Sequence, residues 1–388
     1  MARIIGTYRT SIVGNEAVNA FVPHPLPPKD PPLRVEGTLA ALHAQALTAV
    51  GRLAVAGAMV PNANWFLYGF VRKEAVISSQ IEGTQATLLD VLAYEATHKS
   101  ERPADVEEVC NYIDALTFAR AEMAGPNGLP LCTRLLCAAH KRLMRGTRGA
   151  DRQPGTLRTS QNWIGGTRPG TARFVPPPHE LVPQALADLE RWIHADDPLP
   201  PLVRAGLAHV QFETIHPFLD GNGRIGRLFV ALLMEHWKLL DQPLLYLSLA
   251  FKRRRTQYYQ RLMDVRTQGD WEAWTAFYLE SIRESAEDGV SAATRLCDLL
   301  SQDRRAITHH KAATVTAVRL LDALPDHPII TLPRAMKLLK TTKPTAGKAI
   351  DTLCKTGILH ETTGKQRDRV YAYDAYLTVL AEDTVQPP

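Results

Sequence analysis

Positions 216 to 227, HPFLDGNGRIGR, combine a histidine, a carboxylate, a glycine-flanked turn and two arginines within twelve residues. Pro217 disfavours helix at His216 and should therefore end the preceding helix. Gly221 and Gly223 tolerate positive φ, so the backbone can curl with its N–H groups facing inward and attract an anion. Together these residue types could hold a nucleoside triphosphate and move part of it.

Apolar residues at helical spacing follow the glycines and predict a buried helix face. They are Ile225, Leu228, Phe229, Leu232 and Leu233. The amino-terminal end of such a helix attracts phosphate through its dipole and its free N–H groups. Arg224 and Arg227 lie three residues apart on one face, so both guanidinium groups can reach one polyphosphate.

Two further side chains in this stretch have functional chemistry. Asp220 offers the hard oxygen that Mg²⁺ shares with substrate phosphates, and His216 is suited to accept a proton near neutral pH. Neither a GxxxxGKS/T loop nor a GxGxxG turn after a strand occurs, so P-loop and Rossmann sites lose their main support. The alternative is a plain glycine turn between two core helices, but it does not explain why functional residue types occupy so many of the twelve positions from 216 to 227.

This stretch resembles the HPF-x-D/E-GNGR-x-x-R signature of the Fic family and matches every fixed position. Members of that family typically transfer AMP from ATP to a protein hydroxyl. The resemblance implies that His216 deprotonates the target hydroxyl and that Asp220 binds Mg²⁺. It also implies an ATP-binding set comprising Gly221, Asn222 and Gly223 as an anion hole, Arg224 on the transferring phosphates, Ile225, Gly226, and Arg227 on the γ-phosphate.

A second motif lies upstream at positions 78 to 83, SSQIEG. It resembles the S/T-x-x-x-E-G/N inhibitory helix of many Fic proteins, with Ser78 and Glu82 at the defining positions. A helix from about residue 68 to 81, capped by Gly83, agrees with that resemblance. We expect Glu82 to compete with the ATP γ-phosphate for Arg227; the alternative is a solvated glutamate at a helix end.

Between the motifs, residues 158–166 and 171–178 form extended runs around a Gly/Pro-rich tip and predict a two-stranded hairpin. Such a hairpin could take a target segment by strand addition, as the flap of Fic proteins does. A simple connecting loop is the alternative. Downstream, the YYxxL stretch resembles the Fic segment that closes the nucleotide pocket, with Tyr259 and then Tyr258 as candidates for the adenine wall, although aromatic residues at helical spacing are usually core.

The C-terminal part predicts three helices followed by two short strands around a basic turn, an order that resembles a winged helix-turn-helix. Residues 331 to 369 contain nine Lys/Arg and three Asp/Glu, so this stretch has a net charge of +6, which exceeds the net charge of +5 for the whole chain. A basic recognition element is typical of nucleic-acid binding, so residues 313–376 could bind DNA. A dimerisation or docking module is the alternative.

The whole chain therefore predicts a mainly α fold, with a helical Fic-type core, a small β-hairpin flap and a winged helix-turn-helix domain. We expect four regions: 1–110, including the inhibitory helix at about 68–83; a catalytic core at 111–285; a helical linker at 286–312; and a winged domain at 313–388. No uninterrupted apolar run reaches membrane-spanning length and no signal pattern begins the chain, so we expect a cytoplasmic protein without a membrane partner.

Two functional classes compete. The first is a Mg²⁺-dependent protein adenylyltransferase acting on Ser, Thr or Tyr hydroxyls of target proteins, including its own, and autoinhibited by Glu82. The second is a DNA-binding regulator with the Fic-like core as nucleotide sensor. His216 favours the enzyme, because a sensor does not need a base beside the α-phosphate. Removal of AMP from modified proteins is a third candidate function. The sequence is also compatible with a homodimer.

Overall fold

The computed structural model describes residues 3–13, 15–59, 63–147 and 149–384. Most of them are helical, as the sequence predicts. The α-helices are α1 (Gly37–Met59), α2 (Ala63–Ile81), α3 (Leu88–Thr97), α4 (Pro103–Ala124), α5 (Thr133–Leu143), α6 (Val182–His194), α7 (Pro201–Ile215), α8 (Asn222–His236), α9 (Leu247–Arg253), α10 (Arg255–Gln268), α11 (Trp271–His309), α12 (Val315–Ala323), α13 (Leu332–Leu339), α14 (Lys343–Lys355) and α15 (Asp374–Ala381). The strands are β1 (Gly6–Val13), β2 (Glu16–Pro23), β3 (Ile329–Thr331), β4 (His360–Glu361) and β5 (Val370–Ala372).

The amino-terminal strands form an antiparallel hairpin, whereas the sequence predicts only that residues 1 to about 35 are extended. β1 and β2 pair along their full length, with Tyr8 opposite Phe21. The dipeptide Gly14-Asn15 between two β-branched runs is a hairpin signal that could have revealed it. β2 also donates the Phe21 N–H to the carbonyl of Val175 at 2.9 Å, so the hairpin extends the predicted flap.

The chain divides into two compact units, and unit 1 comprises Met1–Gly51, Cys110–Pro243 and Leu247–Ala286. Its central helix is α7, in which every residue after Pro201 is buried. Close approach to α7 depends on glycine, because a Cβ on Gly226 would lie 2.3 Å from a carboxylate oxygen of Glu213. This packing places the end of α7 beside the start of α8.

Unit 2 comprises Arg52–Val109, Leu244–Tyr246 and Glu287–Pro388. Within it α2 packs closely on α15, because a Cβ on Gly69 would lie 2.7 Å from Leu380. Gln80 Nε2 near the end of α2 donates to the carbonyls of Ala86 at 2.9 Å and Thr384 at 2.8 Å. The last described residues of the chain therefore anchor the end of α2.

The C-terminal elements follow the order α12, β3, α13, α14, β4, β5, with β5 between β3 and β4 in a three-stranded sheet. The sequence predicts these three helices at 315–324, 332–339 and 345–353. α13 has the predicted bounds, α12 ends one residue earlier, and α14 is two residues longer at each end. β3 was missed because three residues are too few to show alternation. The order is the one that a winged helix-turn-helix requires, and that assignment remains a prediction.

Helix α1 is more apolar than the sequence analysis indicated. Among the described residues, only Gly37–Ala58 is long and apolar enough to cross a membrane, judged by length and composition alone. His43, Gln45 and Arg52 interrupt its apolar sequence, which is why no continuous apolar run was found. A single helix of this kind is weak evidence, since core helices pass the same test.

Candidate functional site

His216 lies at the carboxyl end of α7, where Pro217 was predicted to end the helix. The helix ends at Ile215, and His216 caps it with φ 50° and ψ 61°, a left-handed conformation that is uncommon for a residue other than glycine. Its N–H donates to the carbonyl of Phe212 at 2.9 Å, which completes the last turn. The prediction that the helix ends here is confirmed.

The loop after His216 is closed by Asn222. Its side-chain oxygen accepts from the Phe218 N–H at 2.9 Å, and its side-chain nitrogen donates to the Phe218 carbonyl at 2.8 Å. Gly221 adopts φ 74° as the N-cap of α8. The amide of Asn222 thus braces a five-residue loop, while its backbone N–H lies in the first turn of α8.

The helix start corrects one expectation. Gly223 lies inside α8 and does not have positive φ, so the predicted glycine curl consists of Gly221 alone. The helix can begin early because the Asn222 amide already fixes the loop. Ile225 donates the first helical bond to Gly221 O at 3.1 Å. The N–H groups of residues 222–224 are therefore left at the helix end, where an anion can bind.

Arg224, Ile225, Gly226 and Arg227 all lie in α8 and are buried. The Nη2 atom of Arg224 contacts the Met144 sulfur at 3.6 Å. α8 carries both arginines in its first two turns, close in sequence to the helix end that can attract phosphate. The structure thus brings together in one unit the base, the carboxylate, the turn and both arginines of the signature.

The electrostatics of His216 favour its neutral form. Burial lowers its pKa to about 3, and the positive charges of Arg266 and Arg158 lower it in the same direction. A hydrogen bond with the Glu213 backbone raises the pKa by less, and the Nδ1 atom is buried. The side chain as a whole is half-buried, so we expect Nε2 to be the nitrogen that a reacting hydroxyl reaches. A neutral imidazole can accept a proton at neutral pH.

Asp220 is exposed immediately before the helix end. Its Oδ1 accepts from the Gly221 N–H at 2.6 Å. A Cβ on Gly149 would lie 2.6 Å from Oδ2, so a larger residue there would displace the carboxylate. No group of three or more His, Cys, Asp or Glu side chains suited to a metal occurs among the described residues. One carboxylate beside a phosphate site is nevertheless what Mg²⁺ uses.

His140 in α5 is a site residue that the sequence reading missed. Its ring stacks on Phe218 with centroids 3.8 Å apart and an interplanar angle of 6°. Nδ1 accepts from the Gly155 N–H at 2.8 Å, so Nε2 carries the proton and donates to the Asp220 carbonyl at 3.0 Å. This histidine therefore supports the backbone of the loop that carries Asp220.

Comparison with known proteins agrees with this geometry. Residues 40–121 match the Fic/DOC family N-terminal region, and residues 130–234 match the Fic/DOC family domain that contains the whole signature. The chain belongs to the Fic/DOC family.

Several curated relatives are named protein adenylyltransferases. Protein adenylyltransferase fic-1 of Caenorhabditis elegans is 37% identical over 84 residues, covering 21% of this chain and 15% of the relative. Protein adenylyltransferase Fic of Drosophila grimshawi is 25% identical over 218 residues, covering 53% of this chain and 40% of the relative. The matches thus span well under two thirds of these relatives' length.

Solved structures of Fic proteins share the fold. A Fic family protein from Desulfovibrio desulfuricans G20 superposes with a TM-score of 0.58 at 24% identity, covering 89% of this chain and 98% of that one. A Fic domain containing signaling protein from Bacteroides thetaiotaomicron gives a TM-score of 0.51 at 16% identity, with 65% and 97% coverage. At these identities the likeness shows the fold alone.

The flap of this Fic domain is a hairpin whose strand pairing consists of one isolated bridge, between Ile164 and Phe174, instead of the expected strand ladder. A short 3-10 turn at Pro169–Thr171 joins the two sides. The ladder cannot continue because Pro176, Pro177 and Pro178 have no N–H to donate. We call residues 158–178 the flap from here on.

The two tyrosines proposed for the adenine wall lie in different environments. Tyr258 is buried, stacks on Phe251 with centroids 4.4 Å apart, and shares a 2.9 Å hydrogen bond with Nε2 of His209. Tyr259 is 40% exposed, with the Arg255 guanidinium 5.7 Å from its ring centroid. An exposed ring is the easier one for a nucleotide to reach, and contact of either tyrosine with adenine stays a prediction.

The motif with Ser78 and Glu82 lies in unit 2, at the end of α2. The helix begins earlier than expected, at Ala63, and ends at Ile81 as predicted. Ser78 is fully buried. Gly83 has φ 101°, and Thr84 N–H donates to the Ser79 carbonyl at 3.2 Å in a six-to-one bond typical of a glycine-capped helix end. Glu82 therefore stands at a fixed turn.

Proposed function

We propose that this chain is a protein adenylyltransferase that transfers AMP from ATP to a hydroxyl side chain of a target protein, itself included. The observation that carries this proposal is the geometry of residues 216–227. A neutral histidine at the end of α7 and an anion-attracting start of α8 are joined by one braced loop. A nucleotide sensor or a pure binding module needs the anion site but has no use for the histidine.

In the proposed reaction the target hydroxyl oxygen attacks the α-phosphorus of ATP. The new O–P bond forms as the bond to the β-phosphate oxygen breaks, and pyrophosphate leaves with that electron pair. Nε2 of His216 accepts the hydroxyl proton. The helix N–H groups at 222–224 and the guanidinium of Arg224 would hold the phosphates, and Arg227 would hold the γ-phosphate. Removal of AMP would use the same residues, so it stays an alternative outcome.

Mg²⁺ is the metal that fits this site. Asp220 is exposed and keeps Oδ2 available while Oδ1 is bonded within the loop, so one carboxylate oxygen can join phosphate oxygens around the ion. Bound Mg²⁺ would neutralise phosphate charge. Asp220 would hold it, and the Asn222 brace and His140 would keep the loop in place.

The test of this function compares the His216→Ala variant with a control variant, His309→Ala, which removes an exposed histidine from the last turn of α11. Each protein would be incubated with α-labelled ATP, Mg²⁺ and cell lysate. His216→Ala should lose at least ~10²-fold in labelling rate while still binding ATP, because general-base catalysis typically contributes that much. Equal labelling by His216→Ala and wild type would exclude the proposal.

We further propose that Glu82 restrains the activity. A carboxylate paired with Arg227 would occupy the guanidinium that the γ-phosphate needs, so ATP would bind with misaligned phosphates. Near-attack alignment is worth roughly 7 to 11 kcal/mol in well-oriented reactions, so its partial loss suppresses turnover strongly. The fixed turn at Gly83 supports this proposal, since it holds Glu82 in a defined position.

A partner proposal concerns the C-terminal region, 313–376. All nine Lys and Arg residues between 331 and 369 are exposed. Gly347 in the middle of α14 has open space where a Cβ would stand, so a phosphate backbone could approach the helix closely. These features favour duplex DNA over a docking protein. A homodimer remains a further proposal without such support.

Retardation of duplex DNA at low salt would test this surface. Binding should weaken steeply as salt rises, because counterions are released, and Lys348→Ala should lower affinity more than Lys29→Ala in unit 1. Absence of retardation by wild type at low salt would leave docking or dimerisation as the role of residues 313–376.

A further inference from the structure

Two buried arginines outside the signature cap the carboxyl end of α7. Arg158 donates through Nε to the His216 carbonyl at 2.9 Å and through Nη2 to the Ile215 carbonyl at 3.4 Å. Arg266 donates through Nη2 to the Glu213 carbonyl at 2.9 Å and through Nε to Thr214 Oγ1 at 3.2 Å. The last carbonyls of a helix lack intrahelical partners, and cations stabilise that end.

The same two arginines also hold the flap. Arg158 begins the flap and donates to the carbonyl of Pro177 near its other end, which closes the base of the hairpin. It donates to the Ser160 carbonyl at 3.3 Å as well. The Arg266 guanidinium lies 4.2 Å from the centroid of the Phe174 ring. Each guanidinium therefore contacts both the flap and the end of α7.

Flap and helix end both need this support for backbone reasons. The prolines at 176–178 cannot donate hydrogen bonds, so pairing between the two sides of the flap cannot continue past the bridge at Phe174. His216 adopts a left-handed conformation that is unfavourable for a residue other than glycine and persists only where its surroundings impose it. A guanidinium has five donors in a planar fork and can bond several carbonyls at once, which a lysine cannot do in the same geometry.

We propose that Arg158 and Arg266 are positioning residues that join the flap to the end of α7, so that His216 and a target segment on the flap are held as one element. This inference rests on the proposed function of His216 as the base. Burial of two charges without a bonded carboxylate is costly, and the carbonyl contacts offset that cost. Burial lowers the pKa of both guanidinium groups to about 10, so both remain charged at neutral pH.

The chain contains a matched control for this arrangement. Arg204 is 6% exposed, like Arg266, and it donates to the carbonyls of Trp192, Ile193 and Ala195 at 2.6, 3.1 and 3.0 Å. It thus caps the end of another helix, α6, through three carbonyls. An effect that arises from loss of any buried arginine cap would appear in all three substitutions.

The experiment compares Arg158→Lys, Arg266→Lys and Arg204→Lys with wild type by amide hydrogen exchange followed by mass spectrometry. Arg158→Lys and Arg266→Lys should each accelerate exchange about tenfold in peptides from the flap and from residues 212–222 together. Arg204→Lys should accelerate exchange around residues 190–197 and leave those two segments unchanged. If the two segments respond separately, or if Arg204→Lys loosens them equally, the coupling is excluded.

A second readout is AMP transfer by the same proteins. Arg158→Lys and Arg266→Lys should each lower the maximal rate about tenfold or more, with KM for ATP within twofold of wild type. The alignment of His216 with the target hydroxyl is lost in these variants, while the contacts to the nucleotide remain. An altered KM with an unchanged maximal rate would contradict a positioning role. If wild type transfers no AMP, the proposed function fails, whereas the exchange experiment still tests the coupling of flap and helix. Should Arg158→Lys not fold, Arg266→Lys alone carries both measurements.

Discussion

Two helix ends carry the residues on which the proposed activity depends, and they are held in different ways. The end of α7, before His216, is capped by buried charged side chains, Arg158 and Arg266. The end of α2, before Glu82, is held by a glycine turn and by neutral amide bonds from Gln80. The first end is bonded to the flap, and the second is bonded to Thr384, the last residue that the structure describes.

This difference matches the different work that each end would do. A base must be aligned within a fraction of an ångström, and buried charge-assisted bonds give that rigidity. A restraint that can be released must cost less to move. Neutral hydrogen bonds contribute about 0.5–1.5 kcal/mol each, so the α2 end can be displaced by modest changes in its partners.

The contact with Thr384 gives the second end a further property. α15 and the residues after it belong to the same unit as α2, and Leu380 packs at the position of Gly69. A ligand that shifts the C-terminal residues would therefore act directly on the helix that carries Glu82. Nothing comparable is needed at α7, whose last turn is buried on all sides.

The largest expected effect comes from removing the proposed restraint. Glu82→Gly should raise AMP transfer about 10²- to 10³-fold, because each 1.36 kcal/mol of recovered alignment gives a factor of ten. Arg227→Ala should be poorly active whether or not Glu82 is present. Labelling would be compared among wild type, both single variants and the double variant at equal ATP.

The control is Glu101→Gly, because Glu101 is another exposed glutamate in unit 2. This substitution also removes one negative charge and adds backbone freedom beside a helix. It should label like wild type. If the Glu82→Gly protein is no more active than wild type, the end of α2 does not restrain the activity, and the proposed difference between the two helix ends is wrong.

A smaller effect is expected at the loop between the helices. Asp220→Ala should raise the Mg²⁺ concentration needed for half-maximal transfer about 10- to 100-fold, which corresponds to a loss of about 1.4–2.7 kcal/mol of metal binding when one carboxylate ligand is removed. Asp151→Ala, an exposed carboxylate in the same unit, should leave this concentration unchanged. A Mg²⁺ titration of AMP transfer measures both. Zinc removal at constant Mg²⁺ should have no effect, and activity that depends on zinc would contradict the site.

The sequence predicts well what is encoded locally. Pro217 ends α7 at Ile215, and Gly83 follows the end of α2 with positive φ, because each is a backbone constraint read from one residue. The error at Gly223 has the same origin. A glycine is compatible with a helix as well as with a turn, and the Asn222 side chain decides between them.

What the sequence could not predict depends on distant contacts. His140 bonds to Asp220 across 80 residues, and Arg158 bonds to His216 across 58. Neither pairing has a periodic signature. The one available signal is a polar side chain on an apolar helix face, as with His140 between Leu136 and Leu143 in α5. The flap was overestimated because strand propensity was read without counting the donors that the prolines remove.

The smallest effect tests whether the α7–α8 region owes its stability to neutral buried histidine. His209 lies in α7, with Nδ1 donating to the Gly226 carbonyl at 3.0 Å and Nε2 accepting from Tyr258 at 2.9 Å. Burial lowers its pKa to about 3; the hydrogen bond to the Gly226 carbonyl acts in the opposite direction, and the charges of Arg227 and Arg266 add to the lowering. The imidazole therefore stays neutral in the folded protein well below the pH at which it is protonated in the unfolded chain.

The sign of the pH effect follows from that difference. Below about pH 6.5 the unfolded state binds a proton that the folded state does not, so stability falls as pH falls towards 3, by about 1.4 kcal/mol per pH unit from this residue. His209→Gln can keep a donor and an acceptor but cannot titrate. Its urea-unfolding free energy should therefore fall by about 2 kcal/mol less than that of wild type between pH 6.5 and 5. Parallel pH profiles for the two proteins would show that His209 is protonated in the folded state, and the α7–α8 pairing would then not depend on a neutral imidazole.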